Sequence, residues 1–500
     1  MRIAKPLLLI IPVMTLSGSL FWGCGQGRKA SVAEKTPRNL VLIVSDALRR
    51  DMLGCYGGEA HTPHIDRLAR EGTLFENAYS TAPCTLPSSV AMLTGNYSRT
   101  YAKILHSTRE EIKSSDRPEY CYYVPDSETL LAEVLSERGW ENRADIENPV
   151  VSRSNILQGF LSLSAGNLPE QPQVDRLQSR IGFQMRNHGY RAMIASLDFL
   201  LSASNNRKFF LLKWIMDPHG PYQPPDRFRR PLLDVEKTLP NPPSFYMNRK
   251  SPQLQQLLAK KTVSASELEY IRRLYRAEVE AVDERVGYML AALRMSGTDK
   301  DTLIVFTSDH GELIGEHGRI GHGQAFFQEL VRIPLILCGP GIPGGKRLSA
   351  RVTHLGLSPT LADLMKAKLP EDPMGKSFAS LLHSDSRSEG SAYFDAMVNT
   401  TKPKWRKWDA GLQDQWKLIM NRGQTPAEIF LFNLDEDPGE SRNVCADFPE
   451  VAESLRIYLA RAREQIRKRL QRNAARLNDE VDLHEKARKA RETLESLGYL

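Results

Sequence analysis

Three stretches of the chain are almost continuously apolar and end abruptly in ionisable residues. Asn39–Val44 (NLVLIV) runs into Ser45-Asp46, Phe209–Met216 (FFLLKWIM) into Asp217-Pro218-His219, and Thr302–Thr307 (TLIVFT) into Ser308-Asp309-His310. A strand buried on both faces reads this way, whereas a half-exposed strand alternates. Between these runs, Ser127–Arg138 and Leu268–Arg294 space apolar residues three and four apart, as amphipathic helices do. Strand–helix alternation predicts an α/β fold with a large, mostly parallel central sheet between helical layers. Such sheets bind ligands beyond the carboxyl ends of their strands, which is where Asp46, His219 and Asp309 fall. Any one Asp there is equally a turn or cap residue. Repetition at several strand ends is what points to a shared rim.

The pattern changes further along. Residues 223–262 are rich in Pro, Arg and Lys without clear periodicity, and predict an excursion over the surface near the site entrance. Beyond residue 390, Trp416–Met420 and Ile429–Leu434 are short strand-like runs bounded by turns such as DEDPG. They predict a small antiparallel sub-domain. From Pro449 the chain is helix-prone, with Leu455, Tyr458, Leu459, Ile466 and Leu470 roughly on one stripe. That stripe predicts docking on the main body, with a basic helix lying on a membrane as the alternative. The expected boundaries are 1–24 for a leader, 37–390 for the α/β domain, 391–448 for the sub-domain and 449–500 for the helical segment.

The N-terminus reads as an export signal. Arg2 and Lys5 precede the short apolar stretch Pro6–Val13, small residues follow at Ser17, Gly18 and Ser19, and Gly23-Cys24 fits a lipoprotein cleavage site. The expectation is a bacterial protein exported and lipid-anchored at the cell envelope through Cys24, or otherwise periplasmic or secreted. The six cysteines are scattered singly, which excludes zinc-ribbon and thioredoxin-like motifs and argues against a disulfide framework. Cys338, in the run IPLILC, reads as a buried apolar residue. With 41% hydrophobic and 25% charged residues the chain is ordinary globular protein. Of the net charge of +7, four units fall in the last 50 residues, which hold 12 basic and 8 acidic side chains. The rest is nearly balanced, so nucleic acid is not an expected partner.

Several segments in order resemble the sulfatase family of the alkaline phosphatase superfamily. They are NLVLIVSDALRRDMLGCYG (39–57), TPHIDRLAREGTLFENAYS (62–80), PSSVAMLTG (87–95), DPHGP (217–221), TLIVFTSDHGELIGEHGRIGHGQAFFQELVRIP (302–334) and NLDEDPGESRN (433–443). The resemblance spans roughly residues 39–445, and it implies an exported ester hydrolase with an alkaline-phosphatase-like fold and one divalent metal. Ca²⁺ is the family's ion. A histidine in the donor set shifts the expectation towards Mn²⁺ or Zn²⁺, with Mg²⁺ also compatible. By position the metal residues are Asp46, Asp309 and His310, with Thr85 as a further ligand. Most members carry a second acid after the first Asp; here Ala47 stands there. His219 matches a histidine that protonates the leaving group or holds the ester, and His322 stands where most sulfatases have Lys. Glu312, Glu316 and His317 are expected to be solvated residues beside the site, and His354 is not expected in it.

The nucleophile departs from the family. Sulfatases use C-x-P-x-R or S-x-P-x-R, whose first residue is oxidised to formylglycine. Aligned on Pro87, this chain has Thr85 in the first place and Ser89 in the last, with Cys84 one place early. Thr cannot become formylglycine, whereas relatives that keep Thr attack phosphoesters with it. A Thr at this place could instead cap the helix predicted over Ser88–Thr94. Three readings stay open: a hydrolase of sulfuric or phosphoric esters with Thr85 as nucleophile, a phosphoester transferase or phosphodiesterase, and a degenerate homologue that binds a glycan or lipid head group without turnover. A two-zinc site would need more Asp and His near the strand ends than the sequence offers. The substrate and the oligomeric state are not readable.

Overall fold

The computed structural model describes residues 35–104, 120–163, 171–181 and 193–479, apart from 205, 248–251, 261, 324, 371, 385–389, 399–405 and 423–425. The leader, Cys24 and the last part of the C-terminal helical segment lie outside the described residues.

Nine strands form the central sheet: β1 (Asn39–Ser45), β2 (Thr73–Tyr79), β3 (Trp140–Ile146), β4 (Leu161–Ser162), β5 (Lys208–Ile215), β6 (Thr302–Ser308), β7 (Arg332–Ile333), β8 (Leu335–Cys338) and β9 (Lys346–Thr353). Their order is β7-β2-β8-β6-β1-β5-β3-β4, and β9 also pairs with β2, off this path. The pairs β1–β5, β1–β6, β3–β5, β3–β4 and β2–β9 are parallel; β7 and β8 run antiparallel to their neighbours. The predicted α/β class and all three apolar strands are therefore present. The antiparallel insertion of β8 between β2 and β6 was not predicted.

Both faces of the sheet are covered, which is why β1 carries no polar alternation. Val41 and Ile43 pack towards α1 (Pro63–Glu71) and the long helix α3 (Ala265–Ser296), through residues such as Ile65, Ile271 and Val282. Leu40, Leu42 and Val44 face α2 (Thr85–Thr94) and the helices Leu131–Glu137 and Leu357–Leu364. Ser264 caps α3 by accepting from Glu267 N–H, and Glu267 returns a bond to Ser264 N–H.

Residues 223–262 correct the expectation of a patternless excursion. They form short helices, including Asp226–Arg229, Pro243–Met247 and Pro252–Ala259, and bury Leu232, Tyr246 and Leu254 in the core under α3. Pro243 and Pro252 are the first residues of their helices, where a missing N–H costs nothing. Cys338 is half-buried rather than buried, and the described cysteines Cys55, Cys84, Cys338 and Cys445 are free thiols.

A second, four-stranded antiparallel sheet follows: β10 (Ala392–Val398), β11 (Arg406–Gln413), β12 (Trp416–Asn421) and β13 (Glu428–Asn433). Helix α4 (Pro449–Asp479) lays Leu455, Leu459 and Ile466 against Leu418, Met420 and Leu431 of that sheet. Among the described residues, no helix is long and apolar enough to cross a membrane.

Candidate active site

Strand register sets the site. Ser45 pairs with Ser308 on one side and with Ile215 on the other, so the chain leaves three adjacent strands at one level. Asp46 and Asp309 are the first residues beyond β1 and β6, and His219 lies in the loop after β5.

Asp46, Asp309 and His310 are fully buried, and one ligand atom of each lies within 4.8 Å of the other two. Each carboxylate is clamped through one oxygen. Asp46 Oδ2 accepts from Asn148 Nδ2 (2.6 Å) and Trp214 Nε1 (3.1 Å). Asp309 Oδ1 accepts from the backbone N–H groups of Ala47 (3.0 Å) and His310 (2.8 Å). Ala47 has φ 57°, a left-handed backbone conformation that few non-glycine residues adopt. His310 Nδ1 donates to the Gly311 carbonyl at 2.8 Å, which fixes the tautomer and leaves Nε2 as the inward lone pair. That nitrogen is 3.4 Å from Asp309 Oδ2 and 3.9 Å from Asp46 Oδ1. Glycine is required at 311, because a Cβ there would meet the Glu329 carbonyl at 1.9 Å.

Asp46 Oδ1 and Asp309 Oδ2 make no hydrogen bond of good geometry. Burial pushes both carboxyl groups up to about 7, and for Asp46 the charge of Asp309 adds to the rise. Two buried carboxylate oxygens and an imidazole nitrogen that converge with no cationic side chain among them lack positive charge. A divalent cation supplies it, so the residues fit one.

Thr85 Oγ1 lies 3.3 Å from His310 Nε2, and the hydroxyl helps to hold the charge of Asp309. Two expectations are corrected here. The helix begins at Thr85 rather than Ser88, and its N-cap residue is Cys84, so Thr85 is not the cap. Ser89 Oγ turns back to donate to the Leu86 carbonyl at 2.9 Å. Burial, with the charge of Asp309, pushes the Cys84 thiol up to about 12, away from the thiolate that a cysteine nucleophile requires.

The two further histidines are gathered at the same place. The His322 ring centroid is 4.2 Å from that of His310 and 5.0 Å from that of His219. His322 Nδ1 is 3.0 Å from Glu312 Oε1. Glu312 is fully buried, not solvated as its sequence context suggested. Glu316 is likewise engaged, with Arg49 at 2.8 Å, and His317 stacks on Phe327 at 3.6 Å. His354 donates from Nε2 to the Ser308 carbonyl at 3.0 Å, and burial lowers it to about 3. It is a neutral support under β6, outside the cluster.

Asn148 and Trp214 are the orienting residues that sequence reasoning missed; Glu312 was expected beside the site, though as a solvated residue. Asn148 and Trp214 act across 102 and 168 residues of chain, which no local pattern records. Trp214 stands inside an apolar run, and Asn148 in a turn.

The chain matches the family model described as "Sulfatase" over residues 38–367 and that of "N-sulphoglucosamine sulphohydrolase, C-terminal" over residues 315–468. It is 25% identical to arylsulfatase K of Canis lupus familiaris, over 86% of this chain and 83% of that protein. Among solved structures, the phosphonate monoester hydrolase of Agrobacterium radiobacter superposes with a TM-score of 0.64 at 21% identity, covering 86% of this chain and 96% of the other. An enzyme in complex with its substrate D-glucosamine-2-N,6-O-disulfate superposes with a TM-score of 0.65 at 19% identity, covering 87% and 99%.

Proposed function

Because this chain belongs to the sulfatase family, whose members are ester hydrolases, we propose that it is a metal-dependent hydrolase of phosphoric esters with the Thr85 hydroxyl as nucleophile. The observation that carries this reading is Thr85 Oγ1 at 3.3 Å from His310 Nε2, on the first residue of a helix that does not use it as a cap.

Asp46 Oδ1, Asp309 Oδ2, His310 Nε2 and Thr85 Oγ1 would hold one divalent ion. Such an ion lowers the pKa of a bound hydroxyl and offsets charge on the ester oxygens. The chain's own groups do the rest. Thr85 Oγ, its proton lost to solvent, bonds to phosphorus as the bond to the leaving alkoxide breaks. His219 gives that alkoxide its proton. Water then attacks phosphorus, His219 takes the water's proton, and the Thr85–phosphorus bond breaks with the oxygen reprotonated from solvent. His322, held by Glu312, faces the same space and binds the ester oxygens. The N-terminus of α2 adds backbone N–H groups that favour an anion there.

Charge favours a singly charged ester. Asp46 and Asp309 balance a divalent ion, and Ser89 and His322 stand where relatives place the permanent cations Arg and Lys. A phosphodiester matches that balance better than a doubly charged monoester. A sulfuric ester is also singly charged, and the glycan disulfate bound by a structural neighbour favours it as the second reading, with a glycan or lipid as the ester's carrier. The test is a panel of aryl sulfate, aryl phosphate and methyl aryl phosphate, each with Ca²⁺, Mg²⁺, Mn²⁺ and Zn²⁺. Fastest turnover of the diester supports the proposal; fastest turnover of the sulfate overturns it.

For location, the Arg2–Cys24 segment supports export and a lipid anchor at Cys24. Cys24→Ser should then move the protein from the membrane to the soluble fraction.

A further inference from the structure

We propose that Arg285 is a positioning residue that sets the height of His219 over the reacting centre. The proposal rests on the reading of His219 as the acid that protonates the leaving group.

Arg285 lies in the middle of α3 and is fully buried, an unusual place for a guanidinium without a task. It reaches to the carboxyl rim of the sheet and grips two loops at once. Nη1 donates to Asp217 Oδ2 at 2.8 Å, and Nη2 donates to Glu147 Oε1. Asp217 begins the Asp217–Pro221 loop that carries His219. The Asp217 carbonyl accepts from Ser45 Oγ at 2.7 Å, one residue before Asp46. Glu147 Oε2 accepts from Met216 N–H at 3.0 Å, and the next residue, Asn148, clamps Asp46. The loops after β3 and β5 are thus braced against each other, with Lys213 Nζ also 2.9 Å from Glu147 Oε1. The planar guanidinium fixes the directions of both of its contacts, which the rotatable donors of an ammonium do not.

Such a brace would matter for geometry rather than for binding. A general acid works only when its proton meets the leaving oxygen as the bond breaks, so a small displacement of His219 costs most where the leaving group is least stable as an anion. Loss of general folding integrity would instead lower all substrates alike.

The test uses Arg285→Lys and Ser45→Ala, with His219→Ala as reference, on methyl aryl phosphates whose leaving phenols run from 4-nitrophenol to phenol. Arg285→Lys is expected to lose at least about tenfold more kcat on the phenol ester than on the 4-nitrophenol ester, as His219→Ala does. Ser45→Ala is expected to steepen the series in the same direction. Equal losses across the series in Arg285→Lys, while His219→Ala is steepened, overturn the brace. A flat series for His219→Ala overturns the reading of His219 as the acid instead. Should Arg285→Lys fail to fold by circular dichroism, Ser45→Ala decides alone: it removes one hydroxyl, and a flat series for it overturns the proposal.

Discussion

Glu312 Oε1 lies 3.0 Å from His322 Nδ1, and the glutamate is fully buried. A carboxylate in that position fixes which imidazole nitrogen carries the proton and aims the other into the cluster. Orienting partners of this kind are commonly worth 10–100-fold when removed. Glu312→Gln keeps an acceptor but removes the charge, so kcat/KM should fall by roughly 10-fold, and Glu312→Ala by roughly 100-fold. Steady-state kinetics on the two variants checks the order. Equal activity of Glu312→Ala and the native protein would exclude the pairing from function.

The donor set makes a statement about the metal. Asn148 and Trp214 occupy one oxygen of Asp46, and two backbone N–H groups occupy one oxygen of Asp309. Each carboxylate is left with a single free oxygen, and the third donor is nitrogen. Ca²⁺ takes six to eight oxygens, whereas Zn²⁺ takes about four donors including imidazole, and Mn²⁺ accepts mixed oxygen and nitrogen donors. Mass spectrometry of metals should find one ion per chain, with Mn²⁺ or Zn²⁺ competing out Ca²⁺ in a chelator titration. Asn148→Ala, which frees an Asp46 oxygen without touching a ligand, should weaken binding by about 10–100-fold.

Asp283 supplies a pH prediction away from the site. It is buried on α3 and accepts from the N–H groups of Ile65 (2.8 Å) and His64 (3.0 Å) at the start of α1. Burial nevertheless pushes its carboxyl up from 3.8 to about 7. The folded state therefore holds a proton that the unfolded state releases between pH 4 and 7. The stability tied to that proton is present in full below pH 4, falls as pH rises through the window at no more than about 1.4 kcal/mol per unit, and is gone above 7. Asn cannot ionise. The Tm of Asp283→Asn relative to the native protein should therefore climb from pH 4.5 to 7.5, and a pH-independent difference would rule the mechanism out.

Much of this was legible in the chain because strands buried on both faces announce themselves by length and composition. β1, β5 and β6 did so, and the acids that end two of them could be placed before any coordinates. What could not be read is what works at long range. Asn148 stands 102 residues from the carboxylate it clamps. Arg285 lies in a helix whose spacing predicts burial but cannot say why a cation is buried. In residues 223–262 proline does not mark irregular chain; Pro243 and Pro252 start short helices that are held by burial of Tyr246 and Leu254. Glu312 has polar neighbours in sequence that suggest solvent, but the hairpin that pairs Leu313–Ile314 with Ile320–Gly321 folds it beneath His322.

The assignment of Thr85 as nucleophile is the sharpest claim, and its variants separate three outcomes. Thr85 is the first residue of α2, with Cys84 just outside the helix in extended conformation. Thr85 brings its Oγ1 to 3.3 Å from His310 Nε2. Cys84 does not share the helical position from which Thr85 points at His310. Cys84 is further disabled by a thiol pushed up to about 12, which leaves almost no thiolate near neutral pH. Thr85→Ala should therefore lose activity by ~10³-fold or more, since nucleophile removal leaves only binding and electrostatic catalysis. Thr85→Ser keeps the hydroxyl and should retain measurable turnover. Cys84→Ala should stay within a few-fold of the native protein. Intact-peptide mass spectrometry over residues 80–100 should show unmodified Cys84 and Thr85. Formylglycine at Cys84 would shift the motif by one residue and make this an oxidised-cysteine sulfatase. Full activity of Thr85→Ala with an unmodified Cys84 would leave direct attack by water, with Thr85 reduced to a metal ligand.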